Sequence, residues 1–216
     1  MEKIQIGVAR FDLKTWNENI KWRRKTNYSG CIYGVDKEIP KKVPYNSNIF
    51  VIEMHNTINK IMGIGIIKNI YRCEYRRKIY DNDNYNRIVY IGKKYKSRKE
   101  LIEKNKNLIE YFESILFKGS RHFKRGHGIS IIPLKRFGTI YRDKKRKMTQ
   151  CSRCCELGHN SRSCKSEVRI RCKDKESSKK MCKYCGKLDK GHICPRFEVN
   201  KSKIIEIILF FNNLFN

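Results

Sequence analysis

The chain has 216 residues, of which 50 are Lys or Arg and 21 are Asp or Glu, giving a net charge of +29 and a pI near 9.9. Hydrophobic residues make up 39% and aromatics 11%, enough to build a core, which excludes a wholly disordered chain. No apolar run approaches the roughly 20 residues of a membrane-spanning helix, and the first residues are mixed and charged rather than signal-like, so integral-membrane, secreted and collagen-like classes fall away and an intracellular location, nuclear or cytoplasmic, is expected.

In chain order, the alternation Ile4-Gln5-Ile6-Gly7-Val8 predicts a strand, and Leu13 to Arg24, carrying Trp16, Ile20 and Trp22, a helix. Gly30–Val35 reads as a second strand, and Pro40 and Pro44 mark a loop. Asn48–Met54 is a strong strand that a turn over Asn56–Lys60 returns into Ile61–Ile67, where Gly63 and Gly65 predict a bend or bulge. Tyr75–Tyr80 and Asn86–Ile91 flank Asp81-Asn82-Asp83-Asn84, a hairpin-turn composition. Ser97 and Glu100 form an S-x-x-E capping box. Behind it Leu101, Ile102, Leu108, Ile109, Phe112, Ile115 and Leu116 share a face, so a helix should run to about Phe117. Ile129–Ile132 is a strand that stops at Pro133. Together these elements predict an α+β domain over residues 1–140, a small mixed β-sheet or barrel with one packed amphipathic helix.

Residues 141–150 form a basic linker containing Lys144, Lys145, Arg146 and Lys147, suited equally to nuclear import and to phosphate contacts. Residues 196–216 are short and very apolar, and docking on the first domain is expected of them in preference to a protein-interaction role. Of the ten cysteines, eight lie within 151–194. Cys31 and Cys73 stand alone and read as buried free thiols.

The clustered cysteines carry the chemistry. Cys151-x2-Cys154-x4-His159-x4-Cys164 places two thiolates on one tight turn, then an imidazole, then a third thiolate. Three sulfurs and one nitrogen complete a tetrahedral zinc shell with no position left for water, so the metal is structural rather than catalytic. Cys182-x2-Cys185-x6-His192-x1-Cys194 offers a second set, with Cys172 as a substitute ligand. Two Zn2+ ions are expected in a module spanning 151–195. This module contains little apolar material, so metal must hold it.

The first of these sets resembles the CCHC zinc knuckle over residues 151–164, including the glycine, Gly158, before the histidine. The run Gly158-His159-Asn160-Ser161-Arg162-Ser163-Cys164 is similar to knuckles of plant transcription regulators and transposon-encoded proteins. The resemblance implies a contact module for nucleic acid or protein. Ser152 and Cys155 stand where retroviral nucleocapsid knuckles carry an aromatic and a glycine, which turns attention from base stacking there to phosphate contacts by Arg153 and Arg162. Tyr184, inside the second CxxC, is suited to stack on a base or to pack on the zinc turn. The strand pair 48–67, with its Ile61-Met62-Gly63-Ile64-Gly65-Ile66-Ile67 return, resembles small mixed barrels of the PUA or EVE type. That likeness implies a base pocket for which Trp16, Trp22, Tyr33 and Tyr45 are available, although all four are expected first as core.

Both parts of the chain are basic. Residues 1–150 carry 35 cations and 14 acids, residues 151–216 carry 15 and 7, and 118–150 holds 11 cations against Asp143 alone. Such an excess calls for a polyanion. The basic segments lack an amphipathic membrane-binding face, so nucleic acid is favoured over membrane. Residues 118–128 mix glycines with Arg121, Lys124 and Arg125, as a phosphate-binding loop does. The expectation is a zinc-dependent nucleic-acid-binding protein preferring RNA or single-stranded DNA, because no recognition helix is visible. An assembly protein whose zinc module contacts other proteins is the alternative. A nuclease using His122 and His127 ranks lower, since no carboxylate cluster accompanies them. The wealth of Lys, Ile, Asn and Tyr suits an AT-rich genome such as that of some large DNA viruses or parasites, with virion association as a further location.

Overall fold

The computed structural model describes residues 4–70, 77–141, 162, 164, 165 and 197–215. It divides into two compact units, residues 1–138 with 200–216, and residues 139–199. Among the described residues no helix is long and apolar enough to cross a membrane.

The first unit is a mixed α+β structure. Strands β1 (Gln5–Phe11), β3 (Asn48–His55), β4 (Lys60–Lys68), β6 (Lys94–Ser97) and β7 (Ser130–Ile132) form a five-stranded sheet in the order β6-β4-β3-β1-β7. β1 and β3 run parallel from Gln5↔Ile49 to Phe11↔His55, and the other neighbours are antiparallel. The β3–β4 pair is the expected hairpin, with a register shift between Glu53 and Met54. Its turn passes through Asn59 at φ 55°, a left-handed conformation that asparagine tolerates.

Period-two alternation gives this sheet two buried faces. Ile6, Val8, Ile52, Met54, Ile61 and Ile64 pack on helix α2 (Arg98–Phe117) and on helix α4 (Lys201–Asn212). Ala9, Phe11, Ile49, Val51 and Ile67 pack on a two-stranded sheet of β2 (Cys31–Val35) and β5 (Ile88–Gly92), with Trp16 and Trp22 of helix α1 (Leu13–Lys25) against the same cluster.

Local chemistry explains the helix boundaries. Asp12 Oδ1 accepts from the Thr15 N–H at 2.8 Å and starts α1, while Arg23, Arg24 and Lys25 meet the negative end of its dipole. The capping box before α2 forms: Glu100 Oε2 accepts from the N–H and the hydroxyl of Ser97, each at 2.8 Å. The helix is not continuous, however. Asn105 leaves helical geometry (φ −162°, ψ 86°), and its Oδ1 accepts from the Leu108 N–H at 3.0 Å, so the second half starts on a cap of its own.

The fold differs from the sequence reading at the second hairpin and agrees with it at the C-terminal run, which docks on the first unit as expected. Residues 77–80 form no strand, so the second hairpin is not seen among the described residues. Asn86 Oδ1 accepts from the N–H groups of Ile79 and Tyr80, each at 3.0 Å, which occupies those donors, and β5 pairs with β2 instead. The apolar C-terminal run is a helix of the first unit, with Ile207, Phe211 and Leu214 buried beside Phe112. Asn200 N–H donates to the Gly138 carbonyl at 2.7 Å, so the chain leaves and rejoins the first unit at one point. The cysteine-rich segment is therefore an insertion. Its ends pair as β8 (Thr139–Tyr141) and β9 (Phe197–Val199), and a short helix α3 (Leu134–Phe137) precedes it.

A buried polar group sits in the second core. Glu53, on the central strand β3, is fully buried and accepts from Tyr33 Oη at 3.1 Å and Tyr95 Oη at 2.9 Å. Arg23 reaches it from α1 at 3.5 Å and lies 4.0 Å from the centre of the Tyr95 ring. Burial pushes the Glu53 carboxyl up, against the pull of Arg23 and the two tyrosines. Gly65 is needed beside it, because a Cβ there would strike Cys31 Sγ and Tyr33 Oη. Cys31 is a buried thiol as expected, pushed up to about 12 by burial first and Glu53 second. Cys73 lies outside the described residues.

Two stability predictions follow from these contacts. Glu53→Ala strands Arg23 in the core and should cost about 3–5 kcal/mol in urea unfolding, with Glu53→Gln costing less because a carbonyl acceptor remains. Lys96 first, then Ser97, holds the Glu100 carboxyl down to about 2, so its stabilisation is full above the ordinary carboxylate range and is lost as pH falls towards 2. Glu100→Gln should therefore lose about 1 kcal/mol or less at pH 7, since the group is partly exposed, and the gap to wild type should close as pH falls from 6 towards 2.

Candidate nucleic-acid interface

The predicted contact residues divide sharply. Arg121, Lys124 and Arg125 lie on the described loop that carries the chain from α2 to β7. Arg162 is described and exposed, and Cys164 is described and half-buried. Lys144, Lys145, Arg146, Lys147, Arg153 and Tyr184 lie outside the described residues, as do the zinc candidates Cys151, Cys154, His159, Cys182, Cys185, His192 and Cys194.

The 118–128 loop is built rather than loose. Arg10, at the end of β1, donates through Nε to the Phe123 carbonyl and through Nη1 to Ser130 Oγ at 3.1 Å. Burial lowers the Arg10 pKa, yet three oxygens around the guanidinium, including the Gly128 carbonyl at 3.5 Å, hold it in place. Asn56, just after β3, donates to the Lys124 carbonyl at 3.0 Å. Gly126 (φ 126°) and Gly128 (φ 60°) take backbone angles that a side chain resists. Pinned from below by Arg10 and Asn56, the loop leaves Arg121 and Arg125 exposed on its outer side.

Beneath the loop is a cleft of about 190 Å³ at the C-terminal ends of the parallel strands β1 and β3. Open α/β sheets place ligands at such ends. Phe11, Tyr33, Tyr80 and Tyr85 supply aromatic wall, and Arg10, Asp36, Asn56, Lys124 and His127 supply polar groups. Tyr33 is held on its far side by Glu53, and Tyr80 Oη receives a hydrogen bond from Asn19 at 3.0 Å. His127 Nδ1 stands 3.4 Å from Asp36 Oδ2 across the mouth. Asp36 Oδ1 and Asn56 Oδ1 are buried acceptors with no hydrogen-bond donor among the described residues. The size suits one aromatic ring, since a cavity of about 150 Å³ accommodates benzene.

The two histidines do not converge. His127 lines the cleft and faces Asp36, whereas His122 accepts from the Lys124 N–H at 3.2 Å and does not line it. Of the aromatics available for a base pocket, only Tyr33 faces the cleft. Trp16 and Trp22 pack half-buried on the core, and Tyr45, expected in the core, is 76% exposed. Arg10, Asp36, Asn56, Tyr80 and Tyr85 were not singled out in the sequence. The available signal was a cation, Arg10, in phase with the buried Ile6 and Val8 of β1.

The chain matches no protein-family model, and no curated protein or solved structure is significantly similar to it. The likenesses to zinc knuckles and to PUA-type barrels therefore stand on the residues quoted for them.

Arg10 is a positioning residue for the loop. Arg10→Met should keep the fold and the emission of the buried tyrosines, while amide exchange at residues 123–128 accelerates at least ten-fold by mass-spectrometric exchange.

Proposed function

We propose that this is a nucleic-acid-binding protein that prefers RNA or single-stranded DNA. The observation that carries the reading is the juxtaposition of a clamped cationic loop and an aromatic-walled cleft of one-ring size. An unpaired base can enter such a cleft, while Arg121, Arg125 and Lys124 meet the flanking phosphates. The two buried acceptors without donors suit a ring that brings N–H groups, since an unmatched buried acceptor costs about 1–3 kcal/mol. A base held in a duplex cannot enter without unstacking, which favours single strands.

In this reading the insertion is a zinc module. Cys151, Cys154, His159 and Cys164 form one donor set and Cys182, Cys185, His192 and Cys194 the other. Three thiolates with one imidazole is a soft donor set that fits Zn2+. The metal supplies structural closure, ordering a segment that has little apolar surface of its own. Arg153, Arg162 and the cations Lys144, Lys145, Arg146 and Lys147 add phosphate contacts, and Tyr184 a stacking surface.

The assembly reading also has an observation in its favour: Ile205 and Leu209, one turn apart on α4, are 57% and 55% exposed. They offer a small apolar contact for a protein partner, compatible with binding nucleic acid elsewhere.

The test measures zinc per chain and affinity for single-stranded RNA, single-stranded DNA and duplex at 50 and 200 mM salt. Two zinc ions, tighter binding to single strands, and a loss of at least about ten-fold between the two salts are expected. Equal binding to duplex, single strand and heparin would reduce the interaction to bulk charge. Arg121→Gln with Arg125→Gln should flatten the salt slope, and Tyr85→Ala should weaken single-strand binding without changing it.

A further inference from the structure

A second pocket lies at the other end of the β2–β5 sheet. The first cleft takes the C-terminal end of β2, at Tyr33–Asp36, and this one takes the C-terminal end of β5, at Ile91 and Gly92. The two strands are antiparallel, with Cys31↔Gly92 and Val35↔Ile88 paired, so the pockets are separated by about 15 Å of strand. The second pocket has a volume of about 570 Å³, within the range of small-molecule sites.

Its chemistry is two-part. Ile66, Ile67, Ile70 and Ile91 make an apolar floor, and Tyr28 is fixed over Gly92 because its Oη donates to the Gly92 carbonyl at 3.2 Å. Lys68, Arg77, Lys93 and Lys94 form the rim, and among the described residues no carboxylate lines it. Lys68, Lys93 and Lys94 are exposed and have no ion pair among the described residues. These cations come from the end of β4, the chain before Ile79 and the β5–β6 turn, so the fold gathers them rather than the sequence. Like charges brought together this way repel one another until an anion joins them.

We propose that this pocket binds a nucleoside phosphate, its ring on the isoleucine and tyrosine floor and its phosphate between Lys93, Lys94, Lys68 and Arg77. A bare phosphate leaves the floor wet, and an uncharged ring leaves the rim unneutralised. A ligand carrying both parts satisfies each. The phosphate comes either from a free mononucleotide or from one nucleotide of a bound strand. The site goes beyond the strand-binding reading above and does not depend on it.

The chain holds two tryptophans, one beside each pocket. Trp22 is 6.1 Å from the Tyr28 ring and 5.9 Å from the Arg77 guanidinium, whereas Trp16 is 5.4 Å from Phe11 of the first cleft. Full-length Trp16→Phe protein therefore reports on the second pocket and Trp22→Phe on the first. Titration of the Trp16→Phe protein with adenosine monophosphate should change Trp22 emission, with adenosine and inorganic phosphate each at least ten-fold weaker. Equilibrium dialysis of adenosine monophosphate on otherwise unaltered protein gives a readout free of tryptophan substitution. There, Lys93→Gln with Lys94→Gln should weaken binding at least ten-fold, and the charge-matched pair Lys99→Gln with Lys106→Gln on α2 should not.

A response to a ten-nucleotide single strand but not to the mononucleotide, still lost in Lys93→Gln/Lys94→Gln, assigns the phosphate to the strand and supports the site. The proposal is overturned if neither ligand moves Trp22 emission, if inorganic phosphate binds as tightly as the nucleotide, or if the two lysine pairs behave alike. Loss of single-strand preference with nucleotide binding intact would sink the strand-binding reading and leave this site standing.

Discussion

A carboxyl group buried on the central strand joins the layers of the first unit. Glu53 collects Tyr33 from β2, Tyr95 from β6 and Arg23 from α1, four elements brought to one point that apolar packing alone does not specify. Apolar side chains of similar volume exchange places at little cost, whereas a buried carboxyl tolerates only an arrangement that supplies its donors. Burial raises its pKa even with Arg23 at hand, so its surroundings only partly compensate for lost water. The register shift in β3–β4 falls next to Glu53, and Gly65 clears space for Tyr33 and Cys31. The irregularities of the sheet are thus concentrated where the polar group has to be accommodated.

Both pockets are framed by the elements this network positions. Tyr33 holds Glu53 with its hydroxyl and lines the smaller cleft. Residues at the start of α1, Asp12 and Thr15, line that cleft, and Tyr28, just beyond its end, lines the larger pocket. The two-stranded sheet lies between them. Its placement over β3 and β4 decides the shape of each, and the glycines Gly65 and Gly92 let Cys31 and the Ile66 carbonyl approach closely between the layers.

Much of the local structure was legible because its causes lie within a few residues. The S-x-x-E box set the start of α2, and the alternation of β3 and β4 set their hairpin. What escaped was non-local. The parallel pairing of β1 with β3 and the pairing of β2 with β5 join segments far apart in the chain. Over the described residues the expected hairpin around Asp81–Asn84 does not form, because Asn86 meets the Ile79 and Tyr80 amides that a partner strand was expected to meet. The cleft was invisible for the same reason. Arg10 reaches Phe123 and Ser130, and Asn56 reaches Lys124; a cation in phase with buried residues marked Arg10 as unusual, but nothing local named its partners. The cationic loop itself stood out by composition, and its clamping did not.

The route of the chain fixes how the cysteine-rich segment is attached. Because α4 completes the core beside α2, and because Asn200 closes on Gly138, the cysteine-rich segment is tied to the first unit at both ends. A module appended by one end explores a larger volume than one held by two, and loop closure costs only slowly more as the loop lengthens. Holding both ends makes the attachment of the cysteine-rich segment depend on the core of the first unit. It also gives the apolar C-terminal helix a reason to follow the cysteines in sequence. Because α4 packs in the first core, it fastens the second end of the insertion into the fold.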